Sequence, residues 1–386
     1  MPDVIVVGLG SMGAAAAYHL AERGVRVVGM DRFTPPHARG SHTGGSRIIR
    51  LAYAEGDAYV PLLRRAYQLW EAVEAAAGTG LLIRTGGLML GAPDSGIVAG
   101  ALQSARAHGL AHELLDAVEI RRRFPAFAPV DPEVGLYEEV AGIVRPEAAV
   151  DSLLRLAAQA GADLRYGVRV TGWRATGSGV EVQTRAGPLT ADRLVLCPGG
   201  WATGLLADLP VPFRVERRVQ HYWAPPGAEF DPDRSPIWIW ESGTGVAAYG
   251  IPTLDPPPGD PLAGRPVTKA AFHSGDEPAD AEAGATEVRP GEERGIVEWL
   301  AGRLPGLAAS RWIGGKPCLY TLTPDGHFVV GRHPRHDPVS VAAGFSGHGF
   351  KFVPVIGEIL ADLAETGVTD HPIDLFAPDR FAGAHR

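Results

Sequence analysis

Asparagine is absent from the 386 residues, lysine occurs only as Lys269, Lys316 and Lys351 among 36 basic residues, and cysteine only as Cys197 and Cys318. Two cysteines so far apart exclude a disulfide framework and a cysteine-built zinc site, so no metal is expected and a reducing cytoplasm is the expected location. No apolar run approaches the ~18 residues needed to span a bilayer, which argues against a membrane partner. A net charge of −8 with scattered arginines lacks the basic patch of a nucleic-acid binder. With 45% hydrophobic and 21% charged residues, the composition is that of a globular protein long enough for two or three domains. Against so strong a bias away from lysine, a retained lysine is expected more often than elsewhere to be needed as lysine.

Val4-Ile5-Val6-Val7 is a short continuous apolar run, suited to a buried parallel strand. Gly8-Leu9-Gly10-Ser11-Met12-Gly13 follows; Ala14 to Arg23 then reads as a helix ending at Gly24, and Val25 to Met30 as a second strand delivering Asp31. In such a unit the first glycine permits a tight turn, the second lets backbone N–H groups approach a pyrophosphate, and the third lets helix and strand pack closely. Asp31 is placed to accept hydrogen bonds from a ribose hydroxyl.

Helical spacing predicts helices over 57–77 and 148–160, with short strands at 169–170 and 180–184. A strand over 191–197 runs into the Gly199-Gly200 turn. Between 213 and 272 the texture changes to short aromatic strands (221–223, 237–240, 246–249) divided by proline and glycine, which predicts an antiparallel sheet in a second domain. The proline-rich stretch 254–266 is barred from a sheet interior and is a candidate cover for a site. Late in the chain a strand over 339–343, the turn Gly344 to Lys351 and a helix over 353–363 repeat the strand, glycine turn, helix order. Both ends are therefore predicted to build one discontinuous nucleotide-binding domain (1–80, 145–212 and 321–386), with 81–144 and 213–320 forming a substrate domain. Three glycine turns converging on one ligand suit the length of FAD; a plain NAD-dependent reductase leaves the late turn and the lysines unexplained.

Four blocks, GLGSMG, Gly40 to Arg50 (GSHTGGSRIIR), Lys316 to Thr321 (KPCLYT) and Ala343 to Phe352 (AGFSGHGFKF), together resemble the monomeric sarcosine oxidase and N-methyltryptophan oxidase family over essentially the whole chain. The resemblance implies an α/β fold with a glutathione-reductase-like FAD-binding domain, a monomer, and FAD attached to Cys318 through an 8α-S-cysteinyl bond. A thiolate is the nucleophile for such a bond, and Lys316 nearby is expected to favour it; Cys197 reads as buried. By the same resemblance, Arg50 and Lys351 grip the substrate carboxylate, and Lys269 supplies a fixed positive charge where O2 takes up electrons. His273, four residues on along the same strand face, is the active-site histidine. Arg47 lies near the flavin, and Tyr249, Tyr320 and His348 line the substrate cavity. The expected cofactor contacts are Gly8, Gly10, Ser11, Met12, Gly13, Asp31, Arg32, Ser41, Ser46, Arg47, Val170, Gly199, Gly200, Cys318, Gly344, Gly347, His348, Gly349 and Lys351.

The implied reaction is oxidation of a small secondary amino acid such as sarcosine, with O2 reduced to hydrogen peroxide and the imine hydrolysed to amino acid and formaldehyde. Three departures from the family pattern bear on substrate size and on the reach of the cysteine: a longer, proline-richer connection between Tyr249 and Lys269, Ser46 in place of threonine, and Pro317 before Cys318. Alternatives are a cyclic imino acid (proline or pipecolate) or N-methyltryptophan-type oxidase or dehydrogenase on the same fold, and a non-catalytic flavoprotein scaffold.

Overall fold

Six strands from both ends and the middle of the sequence lie side by side in the order Val329–His333, His336–Ala343, Arg193–Leu196, Val4–Val7, Val27–Met30, Asp163–Arg165. The first pair is antiparallel and the rest are parallel. The computed structural model describes residues 1–257, 262–284 and 287–383. Val4–Val7 is buried throughout its length, as its unbroken apolar run requires of a central parallel strand. The helix that follows begins at Ser11, inside the glycine motif, and packs against the Pro146–Gln159 and Val353–Glu365 helices. Gly13 makes that entry possible, since a Cβ there would meet the Gly8 carbonyl oxygen at 1.8 Å.

A second sheet of eight strands has the order Trp312–Leu322, Arg214–Trp223, Val267–Phe272, Ala247–Leu254, Ile237–Glu241, Gly87–Gly91, Val134–Glu138, Glu113–Asp116. It is antiparallel except where Ile237–Glu241 meets Gly87–Gly91 in parallel. The aromatic segments over 213–272 pair antiparallel as expected, and the parallel seam lies where they meet Gly87–Gly91, because after Glu138 the chain passes through the other sheet before returning, supplying the long crossover that a parallel pair needs. Strands predicted as short run longer, to Val170–Thr176 and Ala247–Leu254. Leu254 pairs with Val267, so the proline-rich connection starts one residue later than predicted; its residues 258–261 lie outside the described residues.

Register places the chemistry on one face of this sheet. Arg218 pairs with Cys318, Gln220 with Lys316, Tyr222 with Lys269 and Tyr249 with Ala271. With a side-chain period of two, these residues share a face. The opposite face buries Trp223, Trp238 and Trp240 beside Trp299 of the Arg294–Ala301 helix, with the Trp238 and Trp299 rings stacked at 6.1 Å. Each such burial stabilises the sheet by about 2–3 kcal/mol. Among the described residues no helix is long and apolar enough to cross a membrane.

Candidate active site

A cavity of about 800 Å3 is walled by both sheets. Gly8, Gly10, Ser11, Met12, Asp31, Arg32, Ser41, Val170, Gly199 and Gly200 line its nucleotide side. Arg47, Arg50, Tyr249, His273, Cys318, Tyr320, Gly344, Gly347, His348, Gly349 and Lys351 line the remainder, so the three glycine turns do converge on one volume. Gly13, Ser46 and Lys269 are not in the wall itself. Gly13 sits under the first turn, and Ser46 offers its carbonyl to Lys269. Asp31 has a further role that its spacing did not reveal: its carboxylate accepts from Leu9 N and Phe33 N, both at 2.8 Å, and so pins the first glycine turn. In the last turn, a Cβ on Gly347 (φ 82°) would strike the Tyr320 ring at 2.1 Å. Only glycine lets that turn approach the large sheet.

One cation cluster surrounds Lys269. Its Nζ donates to Ser46 O at 2.7 Å, Gln220 Oε1 at 3.1 Å and Gly44 O at 3.3 Å, all neutral oxygens. Burial drives the ammonium well below the usual lysine range, and the Arg47 charge adds to this while Glu147 opposes it. Arg47 donates to Ser41 O, Thr43 O and Ser46 O at 2.6–2.8 Å. The loop that supplies these carbonyls is itself held by the Glu147 carboxylate, which accepts from Gly44 N at 2.7 Å and Gly45 N at 3.1 Å.

Cys318 departs from the expectation of a thiol acidified by Lys316. Burial pushes the thiol up, and the groups that act against burial are Arg47, a hydrogen bond from Gln220, Lys269 and Arg218. These stand on neighbouring strands and on the Gly44 loop, where sequence distance gave no sign of them. Cys197 is buried, with its thiol pushed above its ordinary range by burial alone.

The second cluster is built differently. Arg50, 1% exposed, pairs through NH2 with Glu55 Oε2 at 2.6 Å, donates through NH1 to Ala52 O, and lies 4.5 Å above the Tyr53 ring. Its Nε has no hydrogen-bond partner. Lys351 Nζ donates to His348 O at 2.8 Å and Tyr53 Oη at 3.3 Å. Burial pushes Lys351 down to about 7, with Glu55 resisting and Arg50 assisting. His348 is confined by Tyr53 Oη at 2.6 Å on Nδ1 and Gly326 O at 3.0 Å on Nε2, which makes Nε2 the protonated nitrogen and Nδ1 an acceptor. Burial lowers it to about 3, so it is neutral. His273 lies with its ring 5.8 Å from that of Tyr320 and is held down first by burial, with Glu55 opposing.

Sequence reading missed Tyr53, Glu55, Glu138, Glu147 and Gln220. Glu138 is fully buried and accepts from Leu51 N at 3.0 Å and Ala52 N at 3.2 Å, fixing the backbone just beyond Arg50. Only Glu55 gave a usable signal, as an acid five residues after a designated arginine. Remote from the cavity, Asp208 gathers His333 at 3.0 Å and His336 at 3.5 Å. Arg335 also pairs with Asp208 at 3.1 Å, and Arg335 N donates to His333 Nδ1. That donor makes Nδ1 an acceptor, and burial holds His333 below its ordinary range, so the ring is a neutral imidazole beside Asp208.

Glycine turns that admit a ligand's backbone, an acid at the second strand end and a cationic wall fit FAD, and residues 3–363 match the family of FAD dependent oxidoreductases. The chain belongs to that family. Within it, the chain groups with the monomeric sarcosine oxidases and N-methyl-L-tryptophan oxidases: it is 49% identical to monomeric sarcosine oxidase of Streptomyces avermitilis, over 99% of this chain and 98% of that protein. It is 35% identical to N-methyl-L-tryptophan oxidase of Escherichia coli, over 98% of this chain and 99% of that one. Among solved structures, NikD, an unusual amino acid oxidase essential for nikkomycin biosynthesis, superposes with a TM-score of 0.83 at 27% identity, covering 98% of this chain and 97% of NikD. L-proline dehydrogenase from P. horikoshii shares the fold at the same TM-score, with 22% identity over 99% and 98% of the two chains.

Proposed function

We propose that the protein oxidises small secondary amino acids of the sarcosine type, with FAD tethered at Cys318 and O2 as electron acceptor. The observation that carries this reading is the pairing, around one cavity, of a cation cluster whose hydrogen bonds among the described residues go to neutral oxygens with another in which Arg50 is ion-paired with the Glu55 carboxylate. Bound FAD would take a hydride equivalent from the carbon beside the amine nitrogen and pass both electrons to O2. The side chains do the rest.

Arg50 and Lys351 bind the substrate carboxylate, which takes the place of Glu55 on the guanidinium. Tyr53 keeps both cations in position, one by its ring and the other by its hydroxyl. His348 and His273 are uncharged at neutral pH, so they shape the cavity without repelling a substrate ammonium. Lys269 and Arg47 stabilise the negative charge that develops on reduced oxygen, in a buried setting where such charges act strongly. We further propose a monomer working in the cytoplasm; the names of the sarcosine oxidase relatives and the two free, buried cysteines support this.

The test is to mix the protein anaerobically with sarcosine, N-methylalanine, N-methyltryptophan, proline and pipecolate while recording flavin absorbance, then to measure peroxide in air. Sarcosine is expected to bleach the flavin and to give one peroxide per turnover. Bleaching by proline or pipecolate alone would move the assignment to cyclic imino acids, and no bleaching by any of them would remove it.

A further inference from the structure

Gln220 is 1% exposed, and both the oxygen and the nitrogen of its carboxamide are hydrogen-bonded. Oε1 accepts from Lys269 Nζ at 3.1 Å and from Arg47 NH1 at 3.4 Å, filling both lone pairs. Nε2 donates to Thr43 O at 3.2 Å, and the side chain works with Arg47 and Lys269 against the rise that burial imposes on the Cys318 thiol. Gln220 stands one step along its strand face from Arg218, which pairs with Cys318. The loop over it is fitted to it: a Cβ on Gly44 (φ 108°) would fall 2.3 Å from Gln220 Oε1.

We propose that Gln220 is the positioning residue of the oxygen half-reaction, a neutral bridge that fixes the Lys269 ammonium and the Arg47 guanidinium side by side next to Cys318. This rests on the oxidase reading and adds the residue that sets where its fixed charge stands. Two like charges buried together repel strongly, and an acceptor shared between them is what lets them remain adjacent. The chemistry selects the side chain. A carboxylate at 220 would cancel part of the positive charge, and an apolar residue would leave each cation short of an acceptor. Lys269 would then keep only Ser46 O and Gly44 O, both on the loop, and nothing on the sheet would fix its distance from Cys318.

The test uses the flavin-containing enzyme with Gln220→Met, which conserves volume and removes all polar contacts, and Gln220→Glu, which keeps an acceptor and adds negative charge. Rapid mixing reads flavin reduction by sarcosine and reoxidation by O2 separately; affinity for sulfite, an anionic flavin probe, reports positive charge without turnover. Gln220→Met is expected to slow reoxidation about tenfold and weaken sulfite binding about fivefold, with reduction changed less than about twofold. Gln220→Glu is expected to lower reoxidation and sulfite affinity further, and it keeps the proposal testable should Gln220→Met fold poorly. Wild-type reoxidation and sulfite affinity in Gln220→Met would show that the side chain only fills space, and an equal fall in both half-reactions would also overturn the proposal. Should sarcosine fail to reduce the wild type, the oxidase reading fails by itself; reduction by dithionite then leaves the reoxidation and sulfite arms readable.

Discussion

Lys269 and Lys351 are both buried beside one cavity and both donate to neutral oxygens, yet their neighbouring guanidiniums differ: Arg47 is hydrogen-bonded to carbonyl and amide oxygens, whereas Arg50 is ion-paired with the Glu55 carboxylate. Neutral acceptors hold a charge in place without cancelling it, which suits stabilisation of an anion formed during the reaction. A carboxylate counter-charge can be exchanged for another carboxylate, which suits recognition. On the proposed reading, the same residue type serves catalysis in one cluster and binding in the other, and the partners of each cluster decide which.

The division is sharpest if the tether lies with the first cluster. Cys318→Ser is expected to abolish covalent flavin completely, read as loss of yellow colour from acid-precipitated protein. Lys269→Met is expected to slow reoxidation of the reduced flavin by about 100- to 1,000-fold while reduction by substrate persists, measured by rapid mixing. A parallel loss of substrate affinity would break the division. Lys351→Met is expected to do the reverse, weakening binding of acetate as a substrate mimic by about 30-fold, roughly 2 kcal/mol, with reoxidation preserved.

The pH dependence follows from Lys351. Its charged form predominates below about 7, so acetate binding to the wild type is expected to weaken as pH rises through about 7. That dependence is expected to vanish in Lys351→Met, as flavin difference spectra would record. Smallest is Glu55→Gln, which frees Arg50 from its counter-charge and is expected to tighten acetate binding about threefold.

Much of this was legible in the residues. The apolar run, the spaced glycines and the acid at the second strand end announced the nucleotide unit, and rarity singled out Lys269 and Lys351. Alternation also put Lys269 and His273 on one face. What alternation does not carry is which strands become neighbours. Gln220 meets Lys269 only because Arg214–Trp223 lies between Trp312–Leu322 and Val267–Phe272, and Glu147 meets Gly44 across about a hundred residues. Such ordinary residues gain meaning from pairing. The acidified thiol was misjudged because burial, which adjacent sequence does not show, outweighs every cation near it, including Arg47, Lys269 and Arg218 brought in from distant segments. The parallel seam at Gly87–Gly91 depends on a crossover that local texture does not encode.

The Val4–Val7 strand lies between partners from positions near 30 and near 195, and the turn at 344–349 closes the same cavity. During synthesis the first strand therefore waits for a partner near position 195, and the cavity waits longer, for the turn at 344–349. The cavity that fits the cofactor is complete only when stretches more than three hundred residues apart have met.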